Sequence, residues 1–259
     1  MEILRKGPEY VKTILSVVPS QHRIFIDVFN NNPPVLFNKK PTYCIVNDQS
    51  NKYVNMYEQV RDAPDEFFEI LLSYVKKGLF PIKNKKRLMA FKKAYKNETK
   101  LHEAIHTYVS VHTCILRDKV DGLLGNSWQV SSYSVKNGVN LGNSTIIDKV
   151  LLDFDKIIHY MNSIIWENKD PLYVINKSQA YSKRDPKNCP ILYCNPKASY
   201  KKHEEFLEDI KKSSIRTMVH IDFDSDLYWE ELSKLKDWHC VDLKQGCVWI
   251  NYTPQAILL

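Results

Sequence analysis

The chain has 259 residues, 44% of them hydrophobic and 26% charged, with a net charge of +7. This is the composition of a globular protein with one large core, or a core and a smaller insertion, and it excludes a fibrous or low-complexity chain. The N-terminus has no apolar run of signal-peptide length, and no stretch reaches the 18 or more apolar residues of a membrane span, so a cytoplasmic protein that meets no membrane is expected.

In chain order, "EYVKTILSVVP" has apolar residues at helical spacing (Tyr10, Ile14, Val17, Val18), and Pro19 ends that helix. "RIFIDVF" and "TYCIVND" are β-rich runs, and "FNNNPPVLF" between them reads as a loop. "SNKYVNMYEQVRDAPDEFFEILLSYVKKG" predicts two helices broken at Ala63-Pro64 and stopped by Gly78. The middle differs in kind. "ETKLHEAIHTYVSVHTCIL" is an amphipathic helix, and the glycine-marked "DGLLGNSWQVSSYSVKNGVNLGN" after it carries a hairpin signal at "VKNGVN". Further on, "TIIDKVLLDFDKIIHYMNS" predicts a helix, "IIWEN" and "PILYCN" strands, "HEEFLEDIKKSS" a helix, and "RTMVHIDF" and "GCVWINY" strands. The pattern predicts an α/β core at residues 1–77 and 146–259, with a mainly helical subdomain inserted at 78–145.

Six cysteines form no C-x-x-C pair and read as reduced thiols, so neither disulfides nor a metal site is expected. The positive charge gathers between Lys76 and Lys100. Lys83, Lys85, Lys86, Arg87, Lys92 and Lys93 stand there among Phe80, Phe91 and Tyr95, a pattern able to contact phosphates and stack on bases; a solvated helix face has the same composition. "HEAIH" at 102–106 matches the zinc motif H-E-x-x-H. The longer form needs a glycine to bring a third histidine round, and Val109 stands there, which leaves His112 about 240° around the helix from His106.

In α/β sheets ligands gather at the C-terminal strand ends, where "FIDVF", "IVND" and "ILYCNPKASY" place polar and turn residues. The order and spacing of these segments resemble the Dam-like DNA adenine-N6 methyltransferases. "DVFNNNPPVLF" is similar to that family's E-P-F-x-G-G-G-A-V-F, with Asp27, Phe29, Val35 and Phe37 in agreement, and "VNDQSNKYVNMY" resembles its Asn-Asp and N-x-Y elements. "ILYCNPKASY" stands where the family has D-P-P-Y. The resemblance implies a Rossmann-like methyltransferase sheet with an inserted DNA-recognition subdomain. It also implies S-adenosylmethionine as cofactor, bound through Asp27, Phe29 and Asp48, with Asn195 and Pro196 at the catalytic position and Trp128 in the DNA-facing region.

Three departures point the other way. Asn30, Asn31, Asn32, Pro33 and Pro34 occupy the glycine loop; prolines offer no amide hydrogen, and the glycines' close backbone approach is lost. Gly7-Pro8-Glu9 replaces a Gly-Gly-Lys segment. Ala198 stands where a tyrosine would stack on a flipped base, a contact worth about 1 to 3 kcal/mol. "DPLY", with Asp170, Pro171 and Tyr173, competes for the catalytic assignment. It is set aside because no helix and strand are read after it, whereas both are read after "NPKASY". The expectation is a pseudoenzyme without cofactor that binds DNA, a partner subunit or a second copy of itself, with an active adenine methyltransferase as the alternative. The Lys/Asn-rich composition suggests a phage or mobile-element origin.

Overall fold

The computed structural model describes residues 9–31, 33–39, 43–77, 90, 99–115, 129–130, 161–184, 189–243 and 246–253. The chain divides into two compact units, Ser50–Asn162 and Glu2–Gln49 with Ser163–Leu259.

The second unit is built on a sheet. Its strands are β1 (Ile24–Asp27), β2 (Tyr43–Asn47), β5 (Ile164–Glu167), β6 (Ile191–Cys194), β7 (Arg216–Ile221), β8 (His239–Asp242) and β9 (Cys247–Ile250), in the order β5-β2-β1-β6-β7-β9-β8. The first five are mutually parallel, and β9 runs antiparallel to both β7 and β8. Numbered within the sheet in chain order, this is 3-2-1-4-5-7-6. It is the doubly wound order 3-2-1-4-5-6 with the last strand slipped in, reversed, between the fifth and sixth. The fold is therefore mixed α/β, with a mostly parallel sheet compatible with a Rossmann-like fold.

The central strands are apolar runs because helices cover both faces. β1 and β6 are buried at every residue, whereas the edge strands β5 and β8 alternate or stay half-exposed. One face carries Ile24, Ile26 and Leu192. Against them pack Val174 and Ile175 of α6 (Pro171–Arg184), Phe206, Leu207 and Ile210 of α7 (His203–Lys211), and Tyr228 and Leu232 of α8 (Asp226–Leu232). The other face carries Phe25, Tyr193 and His220 in an aromatic row, capped by Tyr10 of α1 (Glu9–Val17) 5.5 Å from His220. A short helix α2 (Pro33–Asn38) packs against α1. At the β8–β9 turn, Gly246 has φ +86°, and a Cβ there would lie 1.9 Å from the Ile221 carbonyl oxygen, so only glycine fits.

In the first unit, α3 (Asn51–Asp62) lies along α5 (Lys100–Thr113), and α4 (Pro64–Lys76) joins them through an edge-to-face contact of Phe67 on Tyr108 at 5.5 Å. Pro64 opens α4 where its missing N–H costs nothing, and Asp65 and Glu66 sit favourably in the first turn. α3 and α4 pack with α5 and with each other, and all three helices belong to the unit Ser50–Asn162. Two-residue strands β3 (Cys114–Ile115) and β4 (Gln129–Val130) pair antiparallel. Both lie outside the sheet of the second unit.

Three sequence expectations need correction. The helix α6 begins at Pro171, inside "DPLY", and leads into β6, so the ground on which that segment was set aside does not hold. Part of the "NNNPPVLF" loop is the helix α2. β8 and α8 were not foreseen at all. Among the described residues no helix is long and apolar enough to cross a membrane.

Phe206 is fully buried among the rings of Phe29, Tyr200 and Tyr228. Phe206→Ala is expected to destabilise the sheet unit by about 3 to 5 kcal/mol, read from the urea midpoint of its unfolding transition.

Candidate functional site

The strand order reverses between β1 and β6: β1 leads through α2 to β2 on one side, and β5 leads through α6 to β6 on the other. In doubly wound sheets the C-terminal strand ends at such a switch point form the ligand crevice. Asp27, the Asn30-Asn31 turn, Asp48 and Asn195 all stand there, brought together from β1, β2 and β6.

Asp27 is fully buried at the end of β1. Its Oδ1 accepts the main-chain N–H groups of Phe29 at 3.2 Å and Asn30 at 2.8 Å, folding the chain back into a turn. Asn30 takes up a left-handed backbone with φ +49°, which asparagine tolerates better than most residues. The turn directs two side-chain amides into the crevice. Asn30 Nδ2 donates to Asp48 Oδ2 at 2.9 Å, and Asn31 Nδ2 donates to the Asn195 carbonyl oxygen at 2.6 Å. Asn195, 2% exposed, donates its own Nδ2 to the His220 carbonyl on β7 at 2.9 Å.

Other asparagines tie the neighbouring strand ends. Asn47 Nδ2 donates to the carbonyls of Val28 and Lys169 while its Oδ1 accepts the Lys169 N–H, and Asn168 Nδ2 donates to the Asp48 carbonyl. The crevice is thus laced by five asparagines. Sequence reasoning marked Asn195, placed Asn30 and Asn31 only as occupants of a glycine loop, and placed Asn47 only in an Asn-Asp element. Asn168, which closes the run "IIWEN", is a signal it passed over.

Immediately after this turn comes α2, which begins with Pro33 and Pro34. A helix N-terminus facing a crevice would ordinarily offer free amides to an anion or cofactor. Here the first two do not exist. Phe29 is buried in the core, its ring 5.1 Å from Tyr200 and 5.5 Å from Phe206.

The catalytic-position segment is equally inward-looking. Asn195 and Pro196 are buried, Ala198 is exposed in a turn, and the Tyr200 N–H closes that turn on the Lys197 carbonyl at 2.9 Å. The Tyr200 ring is taken up by Phe29, His203 and Phe206. It is not set out for a base to stack on.

The competing segment sits elsewhere. Asp170 comes after the edge strand β5 and caps α6, its Oδ1 accepting the Leu172 N–H at 2.9 Å while its Oδ2 accepts Lys202 Nζ at 2.8 Å. These bonds hold its carboxyl below the ordinary range, the lysine contributing most. Pro171 opens the helix, and Tyr173 is exposed on it. The two segments are separated by their positions on the sheet, since a helix and a strand come after each of them in the chain.

Trp128, Lys83, Lys85, Lys86, Arg87, Lys92 and Lys93 lie outside the described residues, as does Gly7-Pro8. In "HEAIH", His102 Nδ1 is bonded to Thr99 Oγ1 at 2.7 Å, and Glu103 Oε2 accepts Asn55 Nδ2 of α3 at 3.3 Å. These are helix-cap and helix-packing contacts. Among the described residues no three His, Cys, Asp or Glu side chains are grouped to hold a metal ion, and Cys44, Cys189, Cys194, Cys240 and Cys247 are thiols outside any disulfide.

No family model matches the chain, and no curated protein matches it. The likeness to the Dam-like enzymes rests on the quoted residues alone.

Electrostatically the crevice turns on Asp27. Burial raises its carboxyl to about 7, helped by the nearby charge of Asp48 and opposed by the two main-chain amides. The folded protein therefore holds this proton more tightly than the unfolded chain, whose carboxyl titrates near 3.8. The stabilisation is present in full below that pH and is lost as the pH rises through about 7. Asp27→Asn keeps the Oδ1 acceptor and removes the titration. It is expected to flatten the fall in stability between pH 4 and 8, gaining on the order of 3 to 4 kcal/mol relative to the parent at the upper end; urea titrations across that range measure it.

Proposed function

We propose that this protein is a methyltransferase-like pseudoenzyme: it keeps the sheet and crevice of a DNA adenine-N6 methyltransferase, transfers no methyl group, and acts by binding DNA. The observation that carries the reading is the pair of side-chain bonds across the crevice, Asn30 to Asp48 and Asn31 to Asn195. Asp48 is the acid expected to bond a cofactor ribose, and an asparagine amide already engages it. The Asn195 carbonyl lies beside the expected acceptors of a base amine, and a second asparagine amide already engages it.

Further support comes from the sheet. Its reversed last strand departs from the dinucleotide-binding order and is in keeping with a methyltransferase sheet. The net charge of +7, with its excess between Lys76 and Lys100, supports a nucleic-acid partner for the segment after α4. The second reading, an active S-adenosylmethionine-dependent methyltransferase, is favoured by Asp48 and Asn195 still flanking the switch point.

Titration calorimetry with S-adenosylmethionine and with its demethylated product separates the two readings. Undetectable or millimolar affinity for both is expected, and micromolar binding of either would overturn the pseudoenzyme. For the DNA arm, replacing Lys85, Lys86 and Arg87 together by glutamate is expected to weaken duplex binding and lower its salt slope by up to about 3. Fluorescence anisotropy over a salt series reads both quantities, and an unchanged slope would remove these residues from the interface.

A further inference from the structure

The bonding of the crevice leaves two buried oxygens over. Asp27 Oδ2 and Asn30 Oδ1 have no hydrogen-bond partner among the described residues, although both side chains are more than nine-tenths buried. An acceptor in that position carries its desolvation cost until a donor or a cation is set against it. The two oxygens belong to one cluster. The Asn30 main-chain N–H donates to Asp27 Oδ1 at 2.8 Å and its side-chain Nδ2 donates to Asp48 Oδ2 at 2.9 Å, so one residue bridges both carboxylates. Asp27 Oδ2 shares a carboxyl with the bonded Oδ1, and Asn30 Oδ1 shares an amide with the bonded Nδ2. The chemistry of the cluster is one-sided: two carboxylates and an amide oxygen, with the Asn30 amide donor already used on Asp48. The charge of Asp48 also bears on Asp27 and disfavours its ionised form. A water could donate to both oxygens, but it would leave that repulsion in place, whereas a cation meets the oxygens and the repulsion together. Access is from the Asp48 side. Asp48 and Asn30 keep 7% and 6% of their surface, Gln49 beside the first is exposed and Asn31 beside the second is half-buried, so the cluster meets solvent there and a small ion can reach it.

We propose that Asp27, Asn30 and Asp48 form a site for one divalent cation, held by Asp27 Oδ2, Asn30 Oδ1 and the Asp48 carboxylate. Ligands that are all oxygen select a hard ion, and two carboxylates balance its charge. Calcium suits the site better than magnesium, because it accepts irregular geometry where magnesium demands a near-ideal octahedron and keeps several waters. The third oxygen is an amide's, so the site is not one of the groupings of three His, Cys, Asp or Glu side chains, none of which occurs among the described residues. The ion uses the oxygens that the asparagine bonds leave over and needs neither Asn30–Asp48 nor Asn31–Asn195 to break. It would fasten the end of β1 to the end of β2 through the turn between them. The inference goes beyond the pseudoenzyme reading and does not rest on it, since the ion stabilises the turn whether or not a cofactor also binds.

The test is calcium chloride titrated into the full chain, stripped of metal with a chelator, at pH 8, above the Asp27 midpoint of about 7. Calorimetry is expected to give one ion per chain. At a hundredfold excess over the dissociation constant the thermal midpoint is expected to rise by about 5 to 10 °C, and potassium chloride of equal ionic strength should not reproduce the rise. Asp27→Asn and Asp48→Asn each keep an oxygen to accept the bonds that order the turn, and each is expected to weaken binding by about tenfold or more. Asp62→Asn, which removes an exposed carboxylate of the other unit, should leave binding unchanged. Circular dichroism checks that every variant is folded. The proposal is overturned by no binding up to about 10 mM calcium, weaker than protein calcium sites run. It is equally overturned by a midpoint shift that potassium chloride matches, or by undiminished binding in folded Asp27→Asn and Asp48→Asn. Calorimetry with S-adenosylmethionine is a separate titration, so either reading can fail without the other.

Discussion

One buried carboxylate organises the crevice. Asp27 ends the central strand with no exposure to solvent, and its Oδ1 takes the next two main-chain amides of the turn. Those amides, buried themselves, need an acceptor, and this bonding folds the chain into the turn that places Asn30 in the left-handed region. Its Oδ2 has no hydrogen-bond partner among the described residues. Burying a bare charge is costly, and the protein meets that cost by moving the carboxyl's titration up to about 7. The same few atoms fix the backbone geometry, the aim of the asparagines and the pH response.

The role of the asparagines is a consequence of that geometry. A glycine-rich turn would leave amides and space for a ligand. Here the turn carries its own donors, and they are already used on Asp48 and Asn195. A cofactor entering the crevice would have to break both bonds. At about 1 to 3 kcal/mol for each group left unsatisfied, the penalty is roughly 2 to 6 kcal/mol, a loss of affinity from about 30-fold to about 10,000-fold, and its upper half turns a micromolar affinity into a millimolar or weaker one. The Pro33-Pro34 start of α2 compounds this by removing the donors that would compensate.

Much of the frame was legible because the strands β1, β2, β6, β7 and β9 are short apolar runs, and α1, α3, α4, α5 and α7 carry their apolar residues at helical spacing. The failures have particular causes. α6, "PLYVINKSQAYSKR", offers few apolar positions beyond Leu172, Val174 and Ile175, and its asparagine, serines and lysines read as loop. α2 hid behind two prolines that punctuate a sequence yet are at home in a first helical turn. β8 is a half-exposed edge strand of four residues with no apolar face to betray it. At the site, Asp27 and Asp48 could be marked because they end β-rich runs. The bonds that matter could not, since they join residues 18 and 164 positions apart, and only the sheet order makes those neighbours.

The strand order also separates the parts of the sheet that hold the fold from the crevice at the switch point. Much of what stabilises the sheet lies in the apolar faces of its strands and the helices α6, α7 and α8 packed on one of them, none of which needs an open crevice. A working site keeps polar groups poised for a ligand and unsatisfied without one, which makes active sites stability liabilities. At the switch point asparagine amides engage Asp48 and the Asn195 carbonyl, which reduces that liability without removing it, since Asn30 Oδ1 and Asp27 Oδ2 are buried with no hydrogen-bond partner among the described residues. Asp170 makes the contrast plain: after the edge strand, away from the switch point, its carboxylate has the ordinary work of capping a helix and pairing with Lys202. A D-P-x-Y pattern there is a helix start. The segment at the end of β6 lies at the position where chemistry would have to occur, and there the main-chain carbonyl is already bonded within the protein.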